Sequence, residues 1–204
     1  KLGGAELADD KKKRYAEVQE KLAALSTKFS ENVLDATNDY KLLVTDVAEL
    51  KGLPEEVLQA AQHAAEQDSK TGYQFSLHFP SYFPLLQYAE NRQLRETIYR
   101  ANATKASELG GHPEWDNSAI IDELLALRQE EAELLGYQNF AEVSLLPKMA
   151  ESATQVESFL LDLAHKAKPY AEKDLTELRQ FAQEQFGIND LQAWDTTFVS
   201  EKLR

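Results

Sequence analysis

The 204-residue sequence predicts a mainly α protein: a multi-helix bundle with long helices and one small antiparallel, hairpin-like pair of strands at about 41–47 and 73–79. Three observations predict it. Apolar residues recur at spacings of three and four over most of the chain, which places them on one face of a helix. No proline or glycine interrupts residues 8–40. Only YQFSLHF, 73–79, alternates apolar and polar with the period of a half-buried strand.

The first helix carries Tyr15, Val18, Leu22, Leu25 and Phe29, then Val33, Ala36 and Tyr40, on one stripe. At 1.5 Å per residue it would run about 50 Å, a rod that needs partners along its length. KLLVTDV, 41–47, reads as a short strand, after which Gly52 and Pro54 punctuate the chain. Pro54 suits the first position of a helix over EEVLQAAQHAAEQ, and Lys70, Thr71 and Gly72 form a turn. In the strand that follows, Tyr73, Phe75, Leu77 and Phe79 share the buried face; Gln74, Ser76 and His78 share the other.

From Ser81 onward the pattern is helical, with Asn91 as the cap separating helices 82–89 and 92–108. GGHPEWDNS, 110–118, is a loop. Ile120, Ile121, Leu124, Leu125, Leu127, Leu134 and Leu135 form a broad apolar face, closed by Gly136 in the left-handed conformation. A short helix, 139–146, stops before Pro147, and Ser152-Ala-Thr-Gln155 forms a capping box. The long helix it starts turns Val156, Phe159, Leu160, Leu163, Ala167, Leu175, Leu178 and Phe181 inward. Pro169 within it predicts a kink near Lys166, or two helices. Gly187 ends it, and WDTTFVSEKLR begins another. By this handover the chain divides into possible sub-units 1–80 and 81–204. KLGG opens without an initiator methionine or a leader pattern and the end falls mid-pattern, so the chain is expected to be an internal piece of a longer protein.

Hydrophobic residues at 43% and charged residues at 28% fit a folded domain rather than a disordered one. No apolar run approaches the roughly 20 residues that span a bilayer, so no membrane partner is expected. A net charge of −13 repels a phosphate backbone, which excludes nucleic acid as the expected partner. The basic run Lys11–Arg14 follows Glu6, Asp9 and Asp10, the order that complements a helix dipole. The sequence has no cysteine, which removes disulfides, thiolate zinc sites and thiol nucleophiles and fits the cytoplasm.

The chemistry-bearing candidates are sparse. A helical zinc-peptidase site needs two histidines four apart with Glu beside the first. His63, His78, His112 and His165 stand alone by that measure, so no catalytic, cofactor-binding or metal residue is assigned. His63 and His165 read as helix-surface residues, His112 as a loop residue without a nearby partner, and His78 as a polar-face residue of its strand. The adjacent acids Asp9-Asp10, Glu55-Glu56 and Glu130-Glu131 point about 100° apart on a helix and share no site. DATNDY, 35–40, lacks the glycine and terminal Glu of a calcium loop, and no phosphate-binding or nucleophile-elbow motif is present. Arg92, Arg95, Arg100 and Lys105 could imitate an anion clamp, but Glu90, Glu96 and Glu108 are interleaved, which predicts surface ion pairing.

Five stretches, in order, carry a resemblance. They are RYAEVQEKLAALSTKFSENVLDATNDY, VAELKGLPEE, GYQFSLHFPSYFPLLQYAENRQLRETIYRA, DNSAIIDELLALRQEEAELLGYQNFAEVSLLPKMA and WDTTF. Together they resemble the thimet oligopeptidase family of zinc metallopeptidases, from about Leu7 to the C-terminus. The resemblance implies a two-lobed helical enzyme about three times this length, with a channel that admits short peptides. It also implies a zinc ion held by a His-Glu-x-x-His helix and a later Glu, with the Glu of the motif activating water. Nothing here matches those residues, so the resemblance implies zinc in the parent protein, bound outside this segment. It further implies that this helical N-terminal-side segment serves as channel-wall scaffold and is inactive alone. Its partners would be short peptides, through the parent, and the remainder of its own polypeptide, with self-association of the fragment through uncovered apolar faces. The family has paired tyrosines after Trp-Asp where this chain has Phe198-Val199. The alternative reading is a non-enzymatic helical interaction module that docks through the 15–40 stripe.

Overall fold

The computed structural model describes residues 3–204; Lys1 and Leu2 of the KLGG opening lie outside the described residues. In chain order the elements are α1 (Asp9–Asp39), β1 (Leu42–Val44), a 3-10 turn (Val47–Leu50), α2 (Glu55–Gln67), β2 (Tyr73–Phe75), α3 (Phe79–Tyr88), α4 (Arg92–Thr104), a second 3-10 turn (Pro113–Trp115), α5 (Ser118–Leu134), α6 (Phe140–Leu145), α7 (Ala153–Phe186) and α8 (Ala193–Leu203). The fold is mainly α with one two-stranded antiparallel sheet, as the periodicities predict.

The described residues divide into two compact units, each discontinuous in sequence. Unit 1 comprises residues up to Asn32 and Asp116–Tyr170; unit 2 comprises Val33–Trp115 and Ala171–Arg204.

In unit 1, Val18 of α1 is fully buried, and Tyr15, Leu22, Leu25 and Phe29 are half-buried, so the predicted stripe is the inward face. Leu127 and Ala132 of α5 and Val143 of α6 complete its buried apolar set. Arg14 grips Glu130 through two hydrogen bonds of 2.6 and 2.8 Å, and Lys21 pairs with Glu123. A buried amide pair joins the same elements: Asn32 Nδ2 donates to Asn117 Oδ1 at 2.9 Å, and Asn117 Nδ2 donates to the Phe29 carbonyl at 3.1 Å. Asn139 caps α6 by accepting from the Glu142 amide, and Gly136 closes α5 at φ +84°. Two expectations are corrected here. Ile121 and Leu125 of the broad α5 face are exposed. Of the positions expected inward on α7, Phe159, Leu160, Leu163 and Ala167 are exposed too, because no described element of unit 1 lies over them, and Leu175 in unit 2 is exposed as well.

In unit 2, a core of Val44, Leu50, Leu53, Ala61, Phe75, Leu77, Leu85, Leu86, Leu94 and Ile98 lies between the small sheet and helices α2 to α4. A second cluster, Leu178, Ala182, Phe198 and Val199, joins the end of α7 to α8. The strands pair Leu42 with Phe75, Leu43 with Gln74 and Val44 with Tyr73. They are shorter than the expected 41–47 and 73–79, because in this register longer strands would run into the turn at Gly72 and into the end of α1. Asp46 accepts from the Ala48 amide and opens the 3-10 turn, while the Ser76 amide donates to Ser81 Oγ at the start of α3. Leu77 keeps its expected burial, but Phe79 begins α3 and is exposed, since Pro80 fits a first helical turn where no amide is needed. Gln74, expected on the outer face, is buried and donates to Asp68 Oδ2 at 2.8 Å.

Asn91 caps α4 by accepting from the amides of Gln93 and Leu94, as its position predicts. The helix ends at Thr104 rather than 108, because Ala106 takes a left-handed φ of 53°. α7 runs as one helix of 34 residues through Pro169, not as two. Gly72 has φ +123°, and a Cβ there would sit 2.6 Å from the Val44 carbonyl oxygen, so this turn requires glycine.

Candidate functional site

The four histidines stay apart in role as well as in sequence. His63 Nε2 lies 3.1 Å from Gln67 Nε2 on the exposed face of α2, and His165 is exposed on α7. His78 Nε2 is 3.0 Å from Asn38 Oδ1. His112 stacks on Trp115 with ring centroids 4.5 Å apart, 3.3 Å from Glu114 and 3.6 Å from Asp39. Among the described residues no group of three or more His, Asp or Glu is arranged to hold a metal ion.

The densest polar constellation lies in unit 2, where α4 meets α8. Arg95 is 1% exposed and Asp195 is fully buried. Arg95 Nη2 donates to Asp195 Oδ1 at 2.7 Å, and its Nη1 donates to the Ala89 carbonyl at 2.8 Å. Arg92 forks onto the same carboxylate, with Nη2 to Oδ2 at 2.7 Å and Nε to Oδ1 at 3.1 Å, and also donates to the Asp190 carbonyl. The Gln192 amide donates to Asp195 Oδ2 at 3.1 Å, so the acid also closes the capping box of α8. The Arg95 guanidinium lies 4.2 Å from the Phe198 ring centroid and that of Arg100 lies 4.9 Å from Trp194, both cation–π contacts. A cleft of about 420 Å³ beside them is lined by Glu90, Arg92, Arg95, Phe186, Ile188, Phe198 and Lys202.

Burial alone would raise the Asp195 carboxyl, but the hydrogen bonds from Arg92 and Arg95 outweigh it and hold the group below its ordinary value. Burial pulls Arg95 down from its ordinary value against the attraction of Asp195, whereas Arg92, more exposed, is raised by its bonds to Asp195.

The predicted clamp residues therefore separate into two groups. Arg100 pairs with Glu96 on the surface at 2.8 Å, in keeping with surface pairing, whereas half-buried Lys105 bonds the neutral amide of Asn102 at 3.0 Å. Arg95 contradicts surface pairing, because its partner is a buried acid a hundred residues away. Both arginines of the cleft are committed to Asp195, so the arrangement fastens α8 to α4 rather than presenting free cations to a ligand. Sequence reasoning missed Asp195. Its signal was its place three residues after Gln192 at the start of a helical pattern. Phe198 and Val199, the departure from the tyrosine pair, are buried apolar residues of the same cluster.

The model described as "Peptidase family M3" matches residues 85–204. "Oligopeptidase A" of Haemophilus influenzae is 49% identical over 204 residues, covering 100% of this chain and 30% of the relative. "Oligopeptidase A" of Escherichia coli is 48% identical with the same coverage. The "Probable cytosolic oligopeptidase A" of Arabidopsis thaliana is 42% identical over 212 residues, again 100% and 30%. The chain thus spans about 30% of the length of these relatives.

Proposed function

This chain belongs to peptidase family M3, and on that premise we propose that it is the N-terminal-side helical segment of a longer, zinc-dependent oligopeptidase of the cytoplasm. The observation that supports this most is similarity along all 204 residues to proteins called oligopeptidase A, at 30% of their length. In this reading the parent hydrolyses short peptides inside a channel, and the present segment is channel-wall scaffold. Its partners are peptides, through the parent, and the rest of its own polypeptide. Neither nucleic acid nor membrane is among them: the net charge is −13, and no helix among the described residues is long and apolar enough to cross a bilayer.

The donors of this segment do not fit a zinc site. The histidines sit singly on α2, on α7 and in loops, and no three potential ligands converge among the described residues. The catalytic and zinc-binding residues belong to the part of the parent outside this chain, and no step of the reaction runs through residues described here. Supplied there, zinc would polarise the scissile carbonyl and activate water. What this chain contributes is rigidity: the Arg92–Asp195–Arg95 anchor, the Phe75–Leu85–Ile98 core and the long helices.

Quenched-peptide cleavage and metal analysis test the reading. The 204-residue chain should carry no stoichiometric zinc and cleave nothing. The longer protein should carry zinc and lose cleavage to a chelator. Turnover with stoichiometric zinc in the 204-residue chain overturns the scaffold role, and a longer protein without peptidase activity overturns the parent assignment. The alternative, a non-enzymatic helical interaction module, loses its expected docking face, since the 15–40 stripe is the inward face of α1, and is left with the exposed apolar residues of α7. A strictly monomeric chain by light scattering counts against it.

A further inference from the structure

On α7 of unit 1, Val156, Phe159, Leu160, Leu163, Ala167 and Tyr170 follow one another at helical spacing and form a single stripe. Phe159 is 62% exposed, Leu160 56%, Leu163 47% and Tyr170 73%. The stripe continues into an apolar groove of about 530 Å³ between α6 and α7, floored by Ala141, Leu145, Ala153 and Ala164. Small residues on such a floor let a neighbouring backbone come close. The ion pair Lys166–Asp162 borders the stripe on one side, and Glu157 and Ser144 are the polar residues among those lining the groove on the other. An exposed apolar patch of this extent with a polar rim marks an interface.

We propose that this face is the seat of a further amphipathic helix of the same polypeptide, belonging to the part of the longer protein outside these 204 residues. The inference rests on the reading of the chain as one segment of an oligopeptidase. About 70% of each relative's length has no counterpart here, which is ample chain to supply the occupant. The stripe from Val156 to Tyr170 is about 21 Å long at 1.5 Å per residue, so it matches a helix of some four turns or more. The occupant's chemistry follows: Leu, Ile, Val or Phe at spacings of three and four. Two other occupants fit less well. A second copy would bring another net charge of −13 against the first, whereas a segment of the same chain arrives at high effective concentration. A lipid surface selects a polar face rich in Lys and Arg, and here acids alternate with bases.

Hydroxyl-radical footprinting of the longer protein, native and urea-unfolded, tests this at Phe159, Leu160, Leu163 and Tyr170. Native protection of tenfold or more, in a sample that sediments as a monomer, is the expected result. Reactivity equal to that of the unfolded chain overturns the proposal. Protection that disappears on dilution overturns it too, in favour of a second copy. Peptide cleavage by the same sample keeps the two readings apart: cleavage with an unprotected stripe sinks the seat alone, and protection without cleavage sinks the oligopeptidase assignment alone. A second variant covers a failure to assemble. At a concentration where the 204-residue chain is monomeric, Leu163→Glu should leave its thermal midpoint unchanged, and it should lower that of the longer protein by several degrees. Equal midpoints for variant and wild type in both overturn the seat.

Discussion

Asp195 shows how much depends on one carboxylate. It is fully buried with two arginines and a helix-capping amide on it. Asp195→Ala leaves the Arg95 charge buried and unpaired, and should destabilise unit 2 by about 3 kcal/mol or more, read by urea unfolding. The acid's sensitivity follows in sign. Its carboxyl is held below the ordinary value in the folded chain, so its stabilisation is complete above the unfolded value of about 3.9 and is lost as pH falls through the folded value. Stability of the wild type should therefore fall steeply below roughly pH 4, and Asp195→Asn should be weaker at neutral pH with a flatter acid limb. An equally steep limb in Asp195→Asn would show that other carboxylates govern acid unfolding. Single residues were the least legible part of the sequence. Arg95 sits among glutamates in the chain, and nothing in their spacing says that a partner a hundred residues on outcompetes them. Asn32 likewise lies next to exposed Glu31 on α1, yet it is buried against Asn117.

At the scale of elements, positions whose signal is local were legible and lengths were not. Asn91 and Gly136 mark helix ends because their side-chain or backbone preferences act within one turn, while Pro54, expected as the first helical residue, stands one position earlier as the extended cap of α2. Asn91→Ala should cost about 1 kcal/mol by removing an acceptor shared by two amides, measurable as a shift in urea midpoint. The strands ended early because the register sets Val44 against Tyr73 and Leu42 against Phe75, so longer strands would run into the turn at Gly72 and into the end of α1, a limit that alternation alone does not reveal. Gly72→Ala should destabilise the small sheet, since the added Cβ meets the Val44 oxygen and the backbone sits at positive φ. Helix α7 divides the same way. Leu178→Ala, in a buried cluster, should cost about 2 to 5 kcal/mol, while Leu163→Ala should cost little in the isolated chain. Its periodicity declared an inward face all along the helix, but periodicity cannot say whether the covering partner is within the same 204 residues.

For the whole molecule, the mainly α fold and the family were legible: the first from the three-and-four spacing, the second from five ordered stretches and from the match to peptidase family M3. A reading along the chain proposes consecutive sub-units, as at residue 80, and holds no signal for units assembled from separated stretches. The exposed stripe on α7 has a consequence for the isolated chain, which should self-associate with rising concentration in analytical ultracentrifugation. A single species across the range would contradict this. Leu163→Glu should shift the distribution back towards monomer.

The discontinuity of unit 2 also sets an order on synthesis. Its first stretch, Val33–Trp115, leaves the ribosome before all of Asp116–Tyr170, and the stretch that carries Asp195 comes last. At roughly 5 to 20 residues per second, Arg95 waits on the order of ten seconds for its counter-ion. In that interval α4 lacks the carboxylate that pairs with its buried guanidinium. Closure of this half around Arg95 is thereby timed to the arrival of α8.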